Sequence, residues 1–265
     1  MQSLKSAKAQ DFASIRLVLT DLDDTLTVEG RLPAATYLAL EKLQAAGKSI
    51  VVVTGRPAGW CDLIARLWPV AAVVGENGAF YFRYNQATRQ MVRRFQRSDI
   101  QRRVDQEKLQ KLFLSVQKLF PHITLSADQA FRISDYAIDF CEDVERLHET
   151  TINKIVEIFE KGGATVKISS IHINAWIGDF SKREMSLCLL QEQFGLETKQ
   201  AQSCVLYIGD SPNDEPMFET FNHSAGVSNI APFLDKMISR PRWITEQRGG
   251  LGFAELAKAL IGGGK

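Results

Sequence analysis

Carboxylates gather at the end of an apolar run, where Leu17-Val18-Leu19 leads into Asp21-Leu22-Asp23-Asp24-Thr25. The exit of a buried strand is where an open α/β sheet collects its chemistry. A pair of acids there suits two tasks: one carboxylate attacks an electrophile or binds a metal while its neighbour handles protons. A plainer reading is that Asp21, Asp23 and Asp24 cap the turn into a helix starting near Pro33. Three further segments share this kind of placement. Ile50-Val51-Val52-Val53 runs into Thr54-Gly55-Arg56, offering a hydroxyl and a glycine whose N–H approaches a phosphate closely, or a helix cap with a permissive glycine. Cys204-Val205-Leu206-Tyr207-Ile208 runs into Gly209-Asp210-Ser211-Pro212-Asn213-Asp214, whose acids and amide suit a hard cation such as Mg2+, or an Asx-rich capping turn. Lys182 opens a helix after Ile177-Gly178-Asp179-Phe180-Ser181, a place unfavourable for a cation unless an anion meets it. A solvated surface lysine is the alternative.

The elements that must position these groups alternate. Strand-like runs at 17–19, 50–53 and 71–74 are separated by helical spacing at about 33–46 and 59–67. The rhythm returns with a helix at about 182–194, a strand at 204–208, a helix near 213–220 and the run Ala225-Gly226-Val227. Strands separated by helices of this length imply right-handed crossovers and a parallel sheet, so both ends of the chain build one doubly wound α/β domain. The middle reads differently: a hairpin over 79–84 and 91–95, a helix at 108–120, and strand runs at 123–125 and 136–140. A helix at about 144–161 and strand character over 165–177 complete it. This predicts an α+β module inserted into the parallel domain. Gly262-Gly263-Gly264 is expected to be a frayed tail.

In order along the chain, Asp-x-Asp-x-Thr, Thr-Gly-Arg, a helix-opening lysine and Gly-Asp-x-x-x-Asp are far more specific together than singly. In these motifs the sequence resembles the haloacid dehalogenase superfamily, phosphatase branch, over residues 17–78 and 181–218. The resemblance implies a Rossmann-like core over 1–82 and 178–265 and a type IIB α+β cap over 83–177. It makes Asp21 the nucleophile that takes the phosphoryl group and Asp23 the acid/base that protonates the leaving oxygen and then activates water. It also implies Mg2+, held by the Asp21 carboxylate, the Asp23 backbone carbonyl and Asp210, with Asp214 in support. Thr54, Gly55 and Lys182 would hold the phosphoryl oxygens, with Asn213 as an additional contact.

Two positions depart from the family pattern: Asp24 stands where glycine often precedes the threonine, and Arg183 where glycine often follows the lysine. Neither removes a reacting group. Gly75-Glu76-Asn77-Gly78-Ala79 resembles the segment leading into such caps, and the 209–214 stretch resembles mannosyl-3-phosphoglycerate and sucrose phosphatases. The implied reaction is Mg2+-dependent hydrolysis of a small phosphorylated metabolite, a sugar phosphate, through an aspartyl-phosphate. A hexose phosphomutase is the rival enzyme, and a catalytically silent protein that keeps the fold is the rival from another class. Substrate choice is expected in the insert, where Arg132, His172, Asn174 and Trp176 are the specificity candidates and Trp176 suits stacking on a sugar ring.

Composition narrows the partners. The 265 residues are 45% apolar and 24% charged, with a formal net charge of +1 that argues against nucleic acid as a bulk electrostatic partner. The arginines at 93, 94, 97, 102 and 103 are interleaved with acids and polar groups, as on a solvated face. Cys61, Cys141, Cys188 and Cys204 lie far apart without metal-ligand spacing, so reduced thiols are expected. With no signal-peptide core and no long apolar stretch, a soluble cytoplasmic enzyme without membrane contact is expected.

Overall fold

The structure, a computed structural model, describes residues 1–169 and 171–262, so positions 263 and 264 of the expected glycine tail lie outside the described residues. In chain order the elements begin with β1 (Gln2–Ser3), β2 (Leu17–Thr20), α1 (Ala34–Ala45), β3 (Ser49–Val53), α2 (Ala58–Leu67) and β4 (Ala72–Gly75). They continue with β5 (Phe80–Asn85), β6 (Gln90–Phe95), α3 (Asp99–Leu119), β7 (Asp135–Asp139), α4 (Glu149–Lys161), β8 (Thr165–Ile168) and β9 (His172–Trp176). The chain ends with α5 (Lys182–Phe194), α6 (Thr198–Cys204), β10 (Val205–Gly209), α7 (Glu215–Thr220), β11 (His223–Gly226), β12 (Trp243–Ile244) and α8 (Gly249–Gly262).

Among these residues one sheet has nine strands in the order β1-β12-β11-β10-β2-β3-β4-β5-β6, parallel up to β4 and antiparallel across β4–β5 and β5–β6. Its central strands read as unbroken apolar runs because both faces are covered. Val18, Ile50, Val52, Leu206 and Ile208 pack with α1, α2 and α8 on one face. Leu17, Leu19, Val51, Val53, Val205 and Tyr207 pack with α5, α6 and α7 on the other. The parallel pairing of β10 with β2 puts the ends of both strands side by side, Ile208 opposite Thr20, and so delivers the two acidic loops to one place.

The middle of the chain forms a second, antiparallel sheet of three strands in the order β7-β9-β8. Leu109, Phe113 and Val116 of α3 and Ile152, Ile155 and Phe159 of α4 pack on it in a core of its own. Several boundaries differ from those expected. The 79–95 hairpin, assigned above to the insert from position 83, continues the large sheet, so residue 83 falls inside β5. The helix expected at 108 begins at Asp99, because Ser98 and Gln101 exchange side-chain and backbone hydrogen bonds at its start. The helix expected from 144 begins at Glu149, after His148 accepts the Thr150 N–H. The 123–125 run contributes only the bridge between Leu125 and Ile138, and the strand character over 165–177 resolves into the antiparallel pair β8 and β9.

The two sheets meet at residues 76–78, where three successive positions are left-handed, with φ of 43° at Glu76, 56° at Asn77 and 103° at Gly78. A Cβ on Gly78 would lie 2.0 Å from the Ser181 carbonyl oxygen, so only glycine lets this turn reach the start of α5. The fully buried Glu76 carboxylate holds the turn by accepting the N–H groups of Ala58, Ile133, Ser134 and Asp135 at 2.6–3.2 Å. Glu76→Gln would turn an amide NH2 toward these donors. Urea unfolding should show a loss of about 2–4 kcal/mol, and amide exchange at 133–135 should accelerate while α1 and α8 stay protected.

Candidate active site

A narrow cavity of about 30 Å³ opens where the ends of β2, β3 and β10 face β9. Asp21, Asp23, Gly55, Lys182, Asp210 and Asn213 line it from the large sheet, and His172 and Asn174 from the insert. Asp21 begins where β2 ends and donates its backbone N–H to Ile208 of β10. The buried Lys182 ammonium lies 2.6 Å from Asp21 Oδ1 and 3.3 Å from Asp214 Oδ1. It is the first residue of α5, whose Ser181 cap accepts the Glu184 N–H. Against burial, which works to lower it, Asp21 and Asp214 hold the Lys182 ammonium above its usual range. Burial, followed by the charges of Asp214 and Asp23, pushes Asp21 up to about 7, although Lys182 opposes the shift.

Asp214 is anchored from every side. Besides Lys182, its carboxylate accepts the Tyr207 hydroxyl and the N–H groups of Asp210 at 3.0 Å and Ser211 at 3.3 Å. A Cβ on Gly209 would stand 2.3 Å from Asp214 Oδ2, which explains the glycine at the head of Gly-Asp-x-x-x-Asp. Asp210 accepts Thr25 Oγ1 at 3.2 Å and Asn229 Nδ2 at 3.4 Å. Burial, with Asp21 and Asp214 next, pushes Asp210 well above the usual carboxylate range. Oxygen atoms of Asp21, Asp210 and Asp214 all lie within 4.8 Å of one another. Three buried carboxylates facing one ammonium leave an excess of negative charge, and an all-oxygen set of this kind fits a divalent hard cation.

Asp23 is gripped differently. Arg56 Nε donates to both its oxygens at 3.0 Å, while the same guanidinium reaches Asp128 at 3.4 Å and Glu142 at 2.8 Å on the insert. His172 Nε2 stands 2.8 Å from Glu142 Oε2. Burial works to raise the Glu142 carboxyl, yet His172 and Arg56 bring it down to about 2. Thr54 is not in the cavity wall: its buried hydroxyl sits behind, accepting the Arg56 N–H at 3.0 Å and shaping the loop.

The four insert candidates separate. His172 and Asn174 line the cavity, although Asn174 already donates to Asp135 at 3.2 Å. Arg132 does not face it: the guanidinium is fully buried between Asp128 and Asp135 and donates to the Gly55 carbonyl at 2.9 Å, tying the insert to the loop after β3. Trp176 is also outside the cavity wall, its ring stacked on Phe180 at 5.7 Å in the apolar junction between the layers. An alternating strand pattern shows which positions share a face but not what the face meets.

Sequence reasoning gave no role to Arg56, although it stood in Thr-Gly-Arg, or to Asn77 in the Gly-Glu-Asn-Gly turn. Asn77 is 8% exposed, lines the cavity, and its Nδ2 has no hydrogen-bond partner. An unpaired buried donor beside Gly55 is a place for a ligand oxygen. Glu142 and Tyr207 left no local signal, since their roles depend on partners distant in sequence or on burial.

The geometry agrees with what comparisons find. A family model described as haloacid dehalogenase-like hydrolase matches residues 18–173. A phosphoglycolate phosphatase of Methanothrix thermoacetophila is 25% identical over 247 residues, covering 91% of this chain and 95% of that protein. The fold is shared with a Thermoplasma acidophilum protein at TM-score 0.69 and 16% identity, covering 93% of this chain and 98% of that one. It is also shared with the sucrose-phosphatase of Synechocystis sp. PCC6803, solved with sucrose and phosphate, at TM-score 0.62 and 17% identity over 94% and 98% of the two chains. A subclass IIB sugar phosphatase aligns at TM-score 0.61 and 12% identity over 92% and 96%. Because the matched span takes in the Asp21–Asp23 loop, the Thr-Gly-Arg loop and most of the insert, the chain belongs to the haloacid dehalogenase-like hydrolases.

Proposed function

We propose that the protein is a Mg2+-dependent phosphatase of the type IIB subgroup that hydrolyses a small phosphate monoester, a sugar phosphate in the first instance, through an aspartyl-phosphate on Asp21. One observation carries the reading: a buried carboxylate, held by Lys182, shares a cavity with a second acid, Asp23, and with Asp210. The sugar-phosphate class draws on the names of the structural neighbours, a sucrose-phosphatase and a subclass IIB sugar phosphatase. The three-stranded sheet with α3 and α4 acts as the cap, and Arg56, Arg132 and Glu76 join it to the core.

In this reading Asp21 attacks phosphorus, forming an O–P bond as the bond to the leaving oxygen breaks, and Asp23 gives that oxygen its proton. Asp23 then takes a proton from water as the water attacks the phosphorus of the aspartyl-phosphate and frees phosphate. Lys182 balances charge on the nucleophile and the transferring oxygens, and Gly55 N–H, Asn77 and Asn213 donate to them. Asp21, the Asp23 backbone carbonyl and Asp210 would hold Mg2+, and Asp214 acts through Lys182 and the 210–211 backbone. When bound, the cation supplies the positive charge that lets an anionic nucleophile approach a phosphate.

Asp21→Asn should abolish phosphate release, by at least about a thousandfold, while circular dichroism shows the fold retained. Near-normal turnover in that variant would end the covalent mechanism. Chelation should silence the enzyme and Mg2+ should restore it, with Ca2+ a poor substitute because its larger, looser shell does not hold in-line geometry. Activity that survives exhaustive chelation would exclude the metal. Release without a bisphosphate activator separates a phosphatase from a mutase. Asn77→Gly removes the amide while keeping the left-handed backbone, so kcat/KM should fall about tenfold with little change in stability. A rate equal to wild type would leave Asn77 a purely structural residue.

A further inference from the structure

Asp23 lines two spaces. Beside the polar cavity lies a larger cleft of about 500 Å³, open at its mouth, with Asp23 at the junction. Its walls come from Leu22, Leu32, Trp60, Leu63, Trp68 and, from the insert, Phe131. Three of these are well exposed for their size: Trp60 at 42%, Leu63 at 51% and Phe131 at 56%. Apolar side chains from three separate segments, gathered around one opening, form a patch rather than scattered surface residues. Gly59 lets the two layers close over it, since a Cβ there would come within 3.0 Å of Phe131. Trp60 carries the Arg56 guanidinium over its ring at 4.5 Å, and the same guanidinium fixes Asp23. The aromatic wall and the proposed acid are thereby held in one frame.

Resting on the phosphatase reading but departing from the sugar-phosphate class that the neighbours' names suggest, the geometry points to a subsite for the leaving group: the preferred substrate is a phosphate monoester whose alcohol part carries a planar, apolar ring, seated between Trp60 and Phe131. A leaving oxygen must lie within hydrogen-bond reach of Asp23 to be protonated there, so the group attached to it extends into a space that Asp23 faces. The cleft is such a space and has ligand size. A polyol fits it poorly. Its polar wall groups include Asp23, already paired with Arg56, and Thr27, whose hydroxyl is engaged by the Asp24 N–H at 2.9 Å and the Leu22 carbonyl at 3.4 Å. Sugar hydroxyls moved into the cleft would lose water and gain few partners, whereas a ring would bury apolar area on both faces.

The test compares 2-phenylethyl phosphate with ethyl phosphate, two alkyl esters of similar leaving-group chemistry, together with a hexose phosphate, in the Mg2+-supplemented full-length protein. The wild type should show kcat/KM about tenfold or more higher for the phenylethyl ester than for ethyl phosphate. Phe131→Ala and, independently, Leu63→Asp should shrink that ratio to less than about threefold while ethyl phosphate turnover stays within about twofold. Equal turnover of the two alkyl esters by the wild type, or equal losses on both in each variant, would overturn the subsite and leave the phosphatase reading intact. A change of oligomeric state in the variants with the ester ratio unchanged would overturn it in favour of an interface. No phosphate release from any of the three esters would instead sink the phosphatase reading on which it rests.

Discussion

Everything at this site hangs on one buried cation between two buried anions. Lys182 reaches Asp21 on one side and Asp214 on the other, and none of the three has enough water around it to be tolerable alone. Removing one member of such a set typically costs about 3–5 kcal/mol, because the charge left behind stays buried and unpaired. The three residues come from the exit of β2, the start of α5 and the loop after β10, so the interaction exists only if the sheet order puts β10 beside β2. Tyr207, pointing from β10 toward α7, and the N–H groups of Asp210 and Ser211 complete the solvation of Asp214 that water would otherwise supply. The catalytic geometry and the topology of the core are therefore one constraint seen at two scales.

The insert is attached to this centre by charge more than by apolar area. Its own core, around Phe113, Ile155 and Phe159, is separate from the two faces of the large sheet. Across the junction run the Arg56 pairs to Asp128 and Glu142, the Arg132 bond to the Gly55 carbonyl, and the Glu76 bonds to 133–135. Trp176 stacked on Phe180 supplies an apolar seam. The side chains of Arg132 and Glu76 are fully buried and that of Arg56 nearly so, which makes each of these contacts costly to break singly, and Glu142 and Asp23 share a single guanidinium. The two halves of the cavity wall are thus tied to each other through the Arg56 guanidinium.

The core was legible because its strands are covered on both faces. Runs such as Ile50-Val51-Val52-Val53 announce a parallel sheet, and the polar residues that follow each run announce the end that carries the site. Fold class and family followed from that order. Less could be read where an element's identity depends on its neighbour. The hairpin at 80–95 was recognisable as a hairpin, but nothing local tells that β5 pairs with β4 rather than with the insert. The first turns of α3 are so polar that no apolar stripe marks them, and the capping pair Ser98–Gln101 decides the start instead. Arg132 and Trp176 were chosen as polar or aromatic groups in strand-like surroundings. Burial consumed both, one in ion pairs and one in ring stacking. Glu142 stands 86 residues from Arg56, a separation at which no spacing rule speaks.

The departures from the family pattern have unequal physical weight. Asp24 has φ of 57°, so the glycine common there reflects a left-handed requirement that aspartate tolerates better than most side chains. Its carbonyl is held by Asn229 and its N–H by Thr27, which keeps the loop in this conformation. Arg183 lies inside α5, half exposed and beside Glu184, where the backbone is helical and imposes no demand for glycine. Asp24, Glu76 and Asn77 are three non-glycine residues with left-handed backbone in or next to the loops that build the cavity. Strained positions persist where surrounding bonds over-determine them, and here those bonds are the Asn229, Thr27 and Glu76 contacts. A cavity built this way cannot relax its dipoles toward whatever charge happens to be present. On the proposed mechanism the Lys182 ammonium and the Asn77 amide are in place before negative charge shifts onto the transferring oxygens, so stabilising that charge would require no rearrangement at the moment of reaction.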